Sequence, residues 1–236
     1  MRAIAILLLV AMAAAGQGFE AASIKRGDQT APNSGWSQSP GRITIENMTL
    51  KQLVEFAFNV KEYQISGGPK WLDGDRFTIV AKMEGIGNPS RTGGDPRMRT
   101  AMKALLADRF QMVSHIEEKD LSGYALVLAK SGFKLKPVQN EEMTSNSWGN
   151  GKATFKHTPL AEFADALGTI IERPVVDQTE IAGVYDIKLE WSPDGRAEGG
   201  PSIFTAIQEQ LGLRLEARKV PAKLIVIDKA EKPGEN

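Results

Sequence analysis

The sequence contains one pattern of segments twice, and this internal repeat restricts the possible folds more than any other feature. Residues 42–58 align with residues 152–168 at a constant offset, with Thr44 on Thr154 and Leu50 on Leu160. Later pairs recur in the same order: 74–83 with 183–191, 98–110 with 203–215, and the apolar runs 124–128 and 224–227. Ordered recurrence of this kind indicates duplication of one α+β unit.

Each copy predicts two helices with an apolar face. In the first copy, Thr49 and Gln52 have the spacing of a capping box. In the second, Thr158 is expected to cap the helix and Pro159 to occupy its first turn. Asp95 and Pro96 are expected to begin the next helix, and Gly212 to end its counterpart. The apolar positions follow the helical repeat: Leu50, Leu53, Val54 and Ala57; Leu160, Phe163, Ala164 and Leu167; Met98, Ala101, Met102, Leu105 and Leu106.

These elements predict an α+β fold of two tandem similar lobes, each a small, mostly antiparallel sheet with two helices on one face. We expect a signal peptide at 1–17, the first lobe at 19–136 and the second at 152–230. Residues 27–41 are turn-rich and predict a loop. The segment 137–151 is polar and without periodicity, which predicts a linker, and the tail 231–236 is expected to be disordered.

The first residues have the composition of an export signal. Arg2 supplies a positive charge, residues 4–12 an apolar core, and residues 13–15 the small side chains that a signal peptidase accepts. The alternative is a membrane anchor, although the apolar run is shorter than the roughly 20 residues of a spanning helix. We therefore expect an exported protein, periplasmic or extracellular, with no stable membrane insertion after cleavage.

Composition excludes several classes of site. The chain has no cysteine, which excludes disulfides, thiolate metal sites and cysteine nucleophiles. Its 29 basic and 29 acidic residues balance, so nucleic acid is not an expected partner. His115 and His157 lack a partner at metal-ligand spacing, and no serine lies in a G-x-S-x-G motif. We predict no catalytic residue, metal or cofactor, although a pair of catalytic carboxylates is not excluded by sequence.

The densest candidate for recognition lies at residues 63–77. Its glycines, proline and aromatic side chains form a turn suited to binding, with these candidate residues: Tyr63, Gly67, Gly68, Pro69, Trp71 and Asp75. The alternative is a structural turn in which Trp71 covers the edge of the core and the aspartates hold turn N–H groups. Trp36, Trp148 and Trp191 lie in or beside loops and equally mark a possible interaction face.

Several long stretches resemble a family of uncharacterised exported proteins abundant in acidobacteria and other soil bacteria. The shared segments include GRITIENMTLKQLVEFAF, YQISGGPKWLDGDRFTI and RPVVDQTEIAGVYDIKLEW. In some members the similar domain follows an antirepressor-type membrane metallopeptidase, which implies a role in sensing or regulation. This chain lacks the H-E-x-x-H helix of such peptidases, so that activity is not implied here.

The second copy also resembles the short N-terminal domain of secretins and TonB-dependent transducers, in the apolar positions of residues 158–191 and of EQLGLRLEA. There the domain is a periplasmic interaction module. Together these features predict a non-catalytic binding or interaction module of the cell envelope. Its expected partner is an unknown envelope protein or a small ligand. The alternative is a secreted enzyme of hydrolase-like type.

Overall fold

The computed structural model describes residues 18–30, 33–85, 96–138, 144–193 and 200–234. The predicted signal peptide and Asp95, the expected cap of the second helix, lie outside these ranges. The chain divides into two compact units. Unit 1 comprises residues 1–119 and 223–236, and unit 2 comprises residues 120–222.

The first part of the chain begins with three strands and a helix that carries the predicted apolar stripe along its length. The capping box is confirmed, because the Thr49 side chain accepts from the Gln52 N–H and the Gln52 side chain from the Thr49 N–H. The elements are β1 Ala21–Arg26, β2 Gly35–Ser39, β3 Arg42–Thr49, α1 Leu50–Phe58, β4 Ile65–Gly67, β5 Arg76–Lys82, α2 Pro96–Arg109 and β6 Val113–Leu128.

The second part of the chain repeats the order of elements that runs from β2 to β6. Its last helix continues into a π-helical turn, Ile207–Leu211, and ends at Gly212 with the predicted left-handed backbone. The elements are β7 Ser145–Gly149, β8 Lys152–Pro159, α3 Leu160–Ile170, β9 Val175–Asp177, β10 Val184–Glu190, α4 Ile203–Ala206 and β11 Leu213–Lys229.

The predicted α+β class is confirmed, since the described residues form four helices and several mostly antiparallel sheets. Unit 1 has an antiparallel sheet with the order β1-β5-β3-β2, and unit 2 one with the order β10-β8-β7. A third sheet has the order β4-β11-β6-β9, and its outer strands pair in parallel. The apolar positions predicted for α1, α2 and α3 are buried.

Each unit takes a closing strand from the other half of the sequence. In unit 1, β4 pairs with β11, where Ile65 faces Ile225. In unit 2, β9 pairs with β6, where Val175 faces Tyr124. Ile225 and Ile227 accordingly belong to the core of unit 1, and Leu126 to the core of unit 2. The units therefore differ from the expected consecutive ranges 19–136 and 152–230, because both long closing strands cross the boundary.

The two units share a β-bulge at one position of their central strands. In β3, Glu46 and Asn47 face only Thr78 of β5, and in β8, Lys156 and His157 face only Asp186 of β10. Both second bulge residues have a left-handed backbone, with φ of 61° at Asn47 and 51° at His157. Duplication itself stays a prediction, but this backbone geometry is common to both units.

The facing strand satisfies the bulge N–H in each unit by a different side chain. The Asn47 N–H donates to the Thr78 hydroxyl at 3.4 Å. The His157 N–H donates to the Asp186 carboxylate at 2.9 Å. In each unit a side chain on the facing strand thus accepts the hydrogen bond that a backbone carbonyl would accept in a regular ladder.

The structure differs from four local expectations. The proposed linker contains β7, and the proposed loop 27–41 contains β2, because both short strands pair with a longer neighbour despite lacking apolar alternation. The tail is not free at its beginning, since the Glu231 N–H donates to the Phe110 carbonyl at 2.7 Å. Pro159 rather than Thr158 is the N-cap of α3, and the Thr158 hydroxyl instead donates to the Lys156 carbonyl.

The bulge predicts unequal effects of two substitutions at His157. Asn tolerates a left-handed backbone, so His157→Asn should preserve or raise the free energy of unfolding. A β-branched residue is strained there, so His157→Val should lower it by about 1–3 kcal/mol. Urea unfolding measures both. The same pair of substitutions at His115, outside the left-handed residues of the chain, is the matched control. Equal stability of the two His157 variants would contradict the prediction.

Candidate functional site

The glycines of the predicted recognition turn allow two backbones to approach closely. Gly67 has φ 74°, and a Cβ atom there would lie 2.6 Å from the Ile227 carbonyl oxygen. The Gly68 N–H donates to that same carbonyl at 2.8 Å. The Pro69 carbonyl then accepts the Leu72 N–H at 3.0 Å, which closes the turn. These residues hold the end of β4 against β11.

Trp71 covers the core of unit 1 rather than projecting from it. It is half-buried and meets Phe77 edge-on, with ring centroids 6.0 Å apart. The Lys232 ammonium lies 5.7 Å from the indole centroid and 2.5 Å from an Asp75 carboxylate oxygen. The Asp75 N–H donates to the Trp71 carbonyl at 3.0 Å. This geometry favours the structural interpretation of the turn.

The six predicted site residues do not converge on one cavity. Tyr63 is half-buried in a 3₁₀ turn, Glu62–Gln64, that precedes β4. Asp75 lines a cavity of about 180 Å³ beside Ile24 and Lys232, and the other five residues do not line it. A role of this turn in binding stays a prediction.

A charged cluster fixes the same turn to α1. The Lys51 ammonium lies 2.8 Å from Glu62 and 3.3 Å from Asp73, and the Lys51 N–H donates to the Leu72 carbonyl. Although burial opposes it, hydrogen bonding to both carboxylates raises the pKa of Lys51. Burial, and then the negative charge of Glu62, raises the pKa of Glu55. No sequence pattern predicts this cluster, because its residues come together only in the folded chain.

The two histidines are in unrelated surroundings. His115 Nδ1 lies 3.0 Å from Asp228 Oδ2 at the surface of unit 1. His157 is the bulge residue of β8, and its Nδ1 is buried without a hydrogen-bond partner among the described residues. Within the same ranges, no group of three or more His, Asp or Glu side chains is arranged to hold a metal ion.

Strand β7 forms an exposed outer edge of its sheet, which we call the β7 edge (Ser145–Gly149). Its strand neighbour among the described residues is β8, on one side. All five of its residues are exposed, and Trp148 is 44% exposed. The indole stacks on the buried ring of Phe155, with centroids 6.0 Å apart and planes 17° apart. A backbone edge and an accessible aromatic surface therefore lie together.

Unit 2 also contains a cavity of about 360 Å³ with a positively charged lining, which we call the basic cavity. It is lined by Ser122, Gly123, Tyr124, Arg173, Ala217, Arg218 and Lys219. These residues come from β6, β11 and the segment between α3 and β9. The sequence analysis did not identify this site, because its residues come from three distant places in the chain and no spacing rule joins them.

The chain belongs to a family without an assigned function. The family model described as "Protein of unknown function (DUF3738)" matches residues 51–230, which is most of the sequence. The predicted membership of an uncharacterised family is thereby confirmed. Comparison with curated proteins and with solved structures gives no match.

If Trp71 is a core-covering residue, Trp71→Ala should lower the free energy of unfolding by roughly 3–5 kcal/mol, because a large apolar side chain leaves a cavity. Trp148→Ala is the matched control at an exposed indole and should cost about 1 kcal/mol. Chemical unfolding followed by circular dichroism measures both. A Trp71→Ala variant as stable as the control would show that the indole is dispensable to the core.

The raised pKa of Glu55 predicts a pH-dependent gain from Glu55→Gln. Because the folded-state pKa lies above that of the unfolded chain, the folded state binds the proton more tightly, and stability falls as pH rises through this range. The variant should therefore unfold at a higher temperature than wild type at neutral pH, and the difference should vanish in acid. Thermal unfolding at both pH values measures this, with Glu46→Gln as an exposed control. A gain that is independent of pH would contradict the assignment.

Proposed function

We propose that this DUF3738 protein is an exported, non-catalytic module of the cell envelope that binds another protein through the β7 edge. The observation that carries the proposal is the exposed strand β7 with its accessible Trp148. A strand at a sheet edge offers unpaired backbone N–H and C=O groups to an incoming chain. An amphipathic indole supplies contact area at little cost in conformational entropy.

The sequence of β7 supports an edge that is open to pairing. Soluble proteins commonly protect such edges with lysine, other charges or proline. The strand reads SNSWG and contains none of these. In unit 1 the corresponding outer strand carries Trp36, which is half-buried with its ring centroid 4.5 Å from that of Phe56. The outer strands β2 and β7 therefore differ, because the Trp148 indole of β7 is exposed whereas the Trp36 indole of β2 is half-buried.

A further observation favours a binding module over an enzyme. Active sites commonly combine a cleft with titratable groups whose pKa values are perturbed. Among the described residues, shifted pKa values are found at Lys51, Glu55 and Lys82, and none of these side chains lines the basic cavity or the cavity beside Ile24 and Lys232. The export signal predicted at 1–17 supports a location in the envelope. No helix in the described ranges is long and apolar enough to cross a membrane.

The proposal is tested by photocrosslinking in cells that export the protein. A photoreactive residue at Asn146, on the β7 edge, should give discrete adducts with a second protein. The same residue at Thr205, an exposed position in α4, should not. Trp148→Ser and Ser147→Lys should each remove the Asn146 adducts, because one deletes the indole and the other puts a charge on the edge.

Phe204→Ser is the matched aromatic control, since Phe204 is 40% exposed in the same unit but lies in α4. It should leave the Asn146 adducts unchanged. Mass spectrometry identifies the crosslinked chain and separates a foreign partner from a second copy of this protein. Absence of Asn146 adducts, or adducts that persist in both edge variants, would refute the proposal.

A further inference from the structure

Three cationic residues, Arg173, Arg218 and Lys219, line the basic cavity, and no carboxylate is among its lining residues. The Lys219 ammonium donates to the Ser122 hydroxyl at 3.0 Å, and the Arg218 guanidinium donates to the Gln178 side-chain oxygen. Both partners are neutral. Neither these two side chains nor Arg173 forms an ion pair with any residue that the structure describes. The charge of all three side chains is thus available to a ligand.

A glycine brings the third cation to the cavity. Gly123 is buried in β6, and a Cβ atom there would lie 2.3 Å from the Pro174 carbonyl oxygen. Without that atom the neighbouring Tyr124 N–H donates to Pro174 at 2.9 Å. The bond holds the segment after α3 against β6, and Arg173 precedes Pro174 directly. Close backbone approach therefore places Arg173 on the cavity that Arg218 and Lys219 also line.

Unit 1 shows that this charge is not a general property of the shared architecture. Strands β6 and β11 each follow a residue with a left-handed backbone, Gln111 and Gly212. Counted from these residues, Glu117 and Glu118 in β6 correspond to Arg218 and Lys219 in β11. At the same count from the left-handed residue, the chain is acidic in one unit and basic in the other. The cations of unit 2 are therefore a local feature that the fold does not require.

We propose that the basic cavity binds a phosphate group. Two guanidinium groups and one ammonium supply three positive charges, which suit a dianion better than a monoanionic carboxylate. The guanidinium groups offer paired N–H donors to two oxygens at once, and the Lys219 ammonium adds a further charge-assisted donor. The site is separate from the β7 edge, so the two proposals stand or fall independently.

Titration of the full-length protein with inorganic phosphate at low ionic strength tests the proposal. NMR follows the amide signals of Ser122, Gly123 and Tyr124, and calorimetry gives the affinity. We expect these signals to shift, and binding to weaken as salt is added. Arg218→Gln and Arg173→Gln should each weaken binding by about tenfold or more, because each removes a charge-assisted contact. Lys188→Gln, at an exposed strand lysine of unit 2, is the matched control and should bind as wild type.

Two further binding experiments identify the source and the chemical class of the anion. Vesicles of phosphatidylcholine with phosphatidic acid present the same phosphate as a lipid headgroup, and binding to them that depends on Arg173 and Arg218 also supports the proposal. Acetate tests the carboxylate class. Acetate binding equal to that of phosphate, or no arginine-dependent binding to either phosphate or vesicles, would overturn it. Thermal unfolding checks that each variant folds, which we expect because the three cations are exposed.

Discussion

The fold depends on an exchange of closing strands between the two halves of the sequence. Strands β4 and β9 are each three residues long. Each belongs to a unit whose core also includes side chains from the other half of the sequence. Strand β11 pairs with β4 and contributes Ile225 and Ile227 to the core of unit 1. Strand β6 pairs with β9 and contributes Leu126 to the core of unit 2. Burial of these side chains stabilises each unit only when both halves are present, which makes the two units interdependent for stability.

The shared bulge shows how far two similar backbones diverge in chemistry. At one position the bulge residue is Asn47 and the facing acceptor a threonine hydroxyl, while at the other it is His157 and the acceptor a carboxylate. The two long strands also differ in charge, since β6 carries Glu117 and Glu118 where the equal count in β11 gives Arg218 and Lys219. The N–H groups of Asn47 and His157 are both hydrogen-bonded despite these different side chains. The same fold therefore accommodates different side-chain chemistry in the two units. The β7 edge and the basic cavity both lie in unit 2.

Sequence patterns predicted the parts of the fold that rest on local periodicity. The apolar positions of α1 and α3, the capping box at Thr49 and the left-handed end at Gly212 all have short-range signatures. The exchange of closing strands has no such signature, since the runs YALVL and LIVI are both apolar and neither indicates which core it joins. Strand β7 was missed because SNSWG has neither alternation nor β-branched residues, and its pairing with β8 determines its conformation.

The candidate sites were less predictable than the fold. The turn at 63–75 was identified from its composition, yet the geometry ties its tryptophan to Phe77 and Lys232. Trp148 was noted among possible interaction residues, but its position on a sheet edge followed only from the structure. The cavity cations come from residues 173, 218 and 219, and no spacing rule joins them.

The exchange of strands also sets the order in which the protein can be completed during synthesis. A chain made from its N-terminus exposes Ile65 of β4 long before Ile225 exists to pair with it. Unit 2 can receive its borrowed strand early, because β6 precedes every other element of that unit. The first unit to begin is therefore the last to be finished. A chain that ends at residue 222 would therefore contain all of unit 2 but lack Ile225 and Ile227 from the core of unit 1.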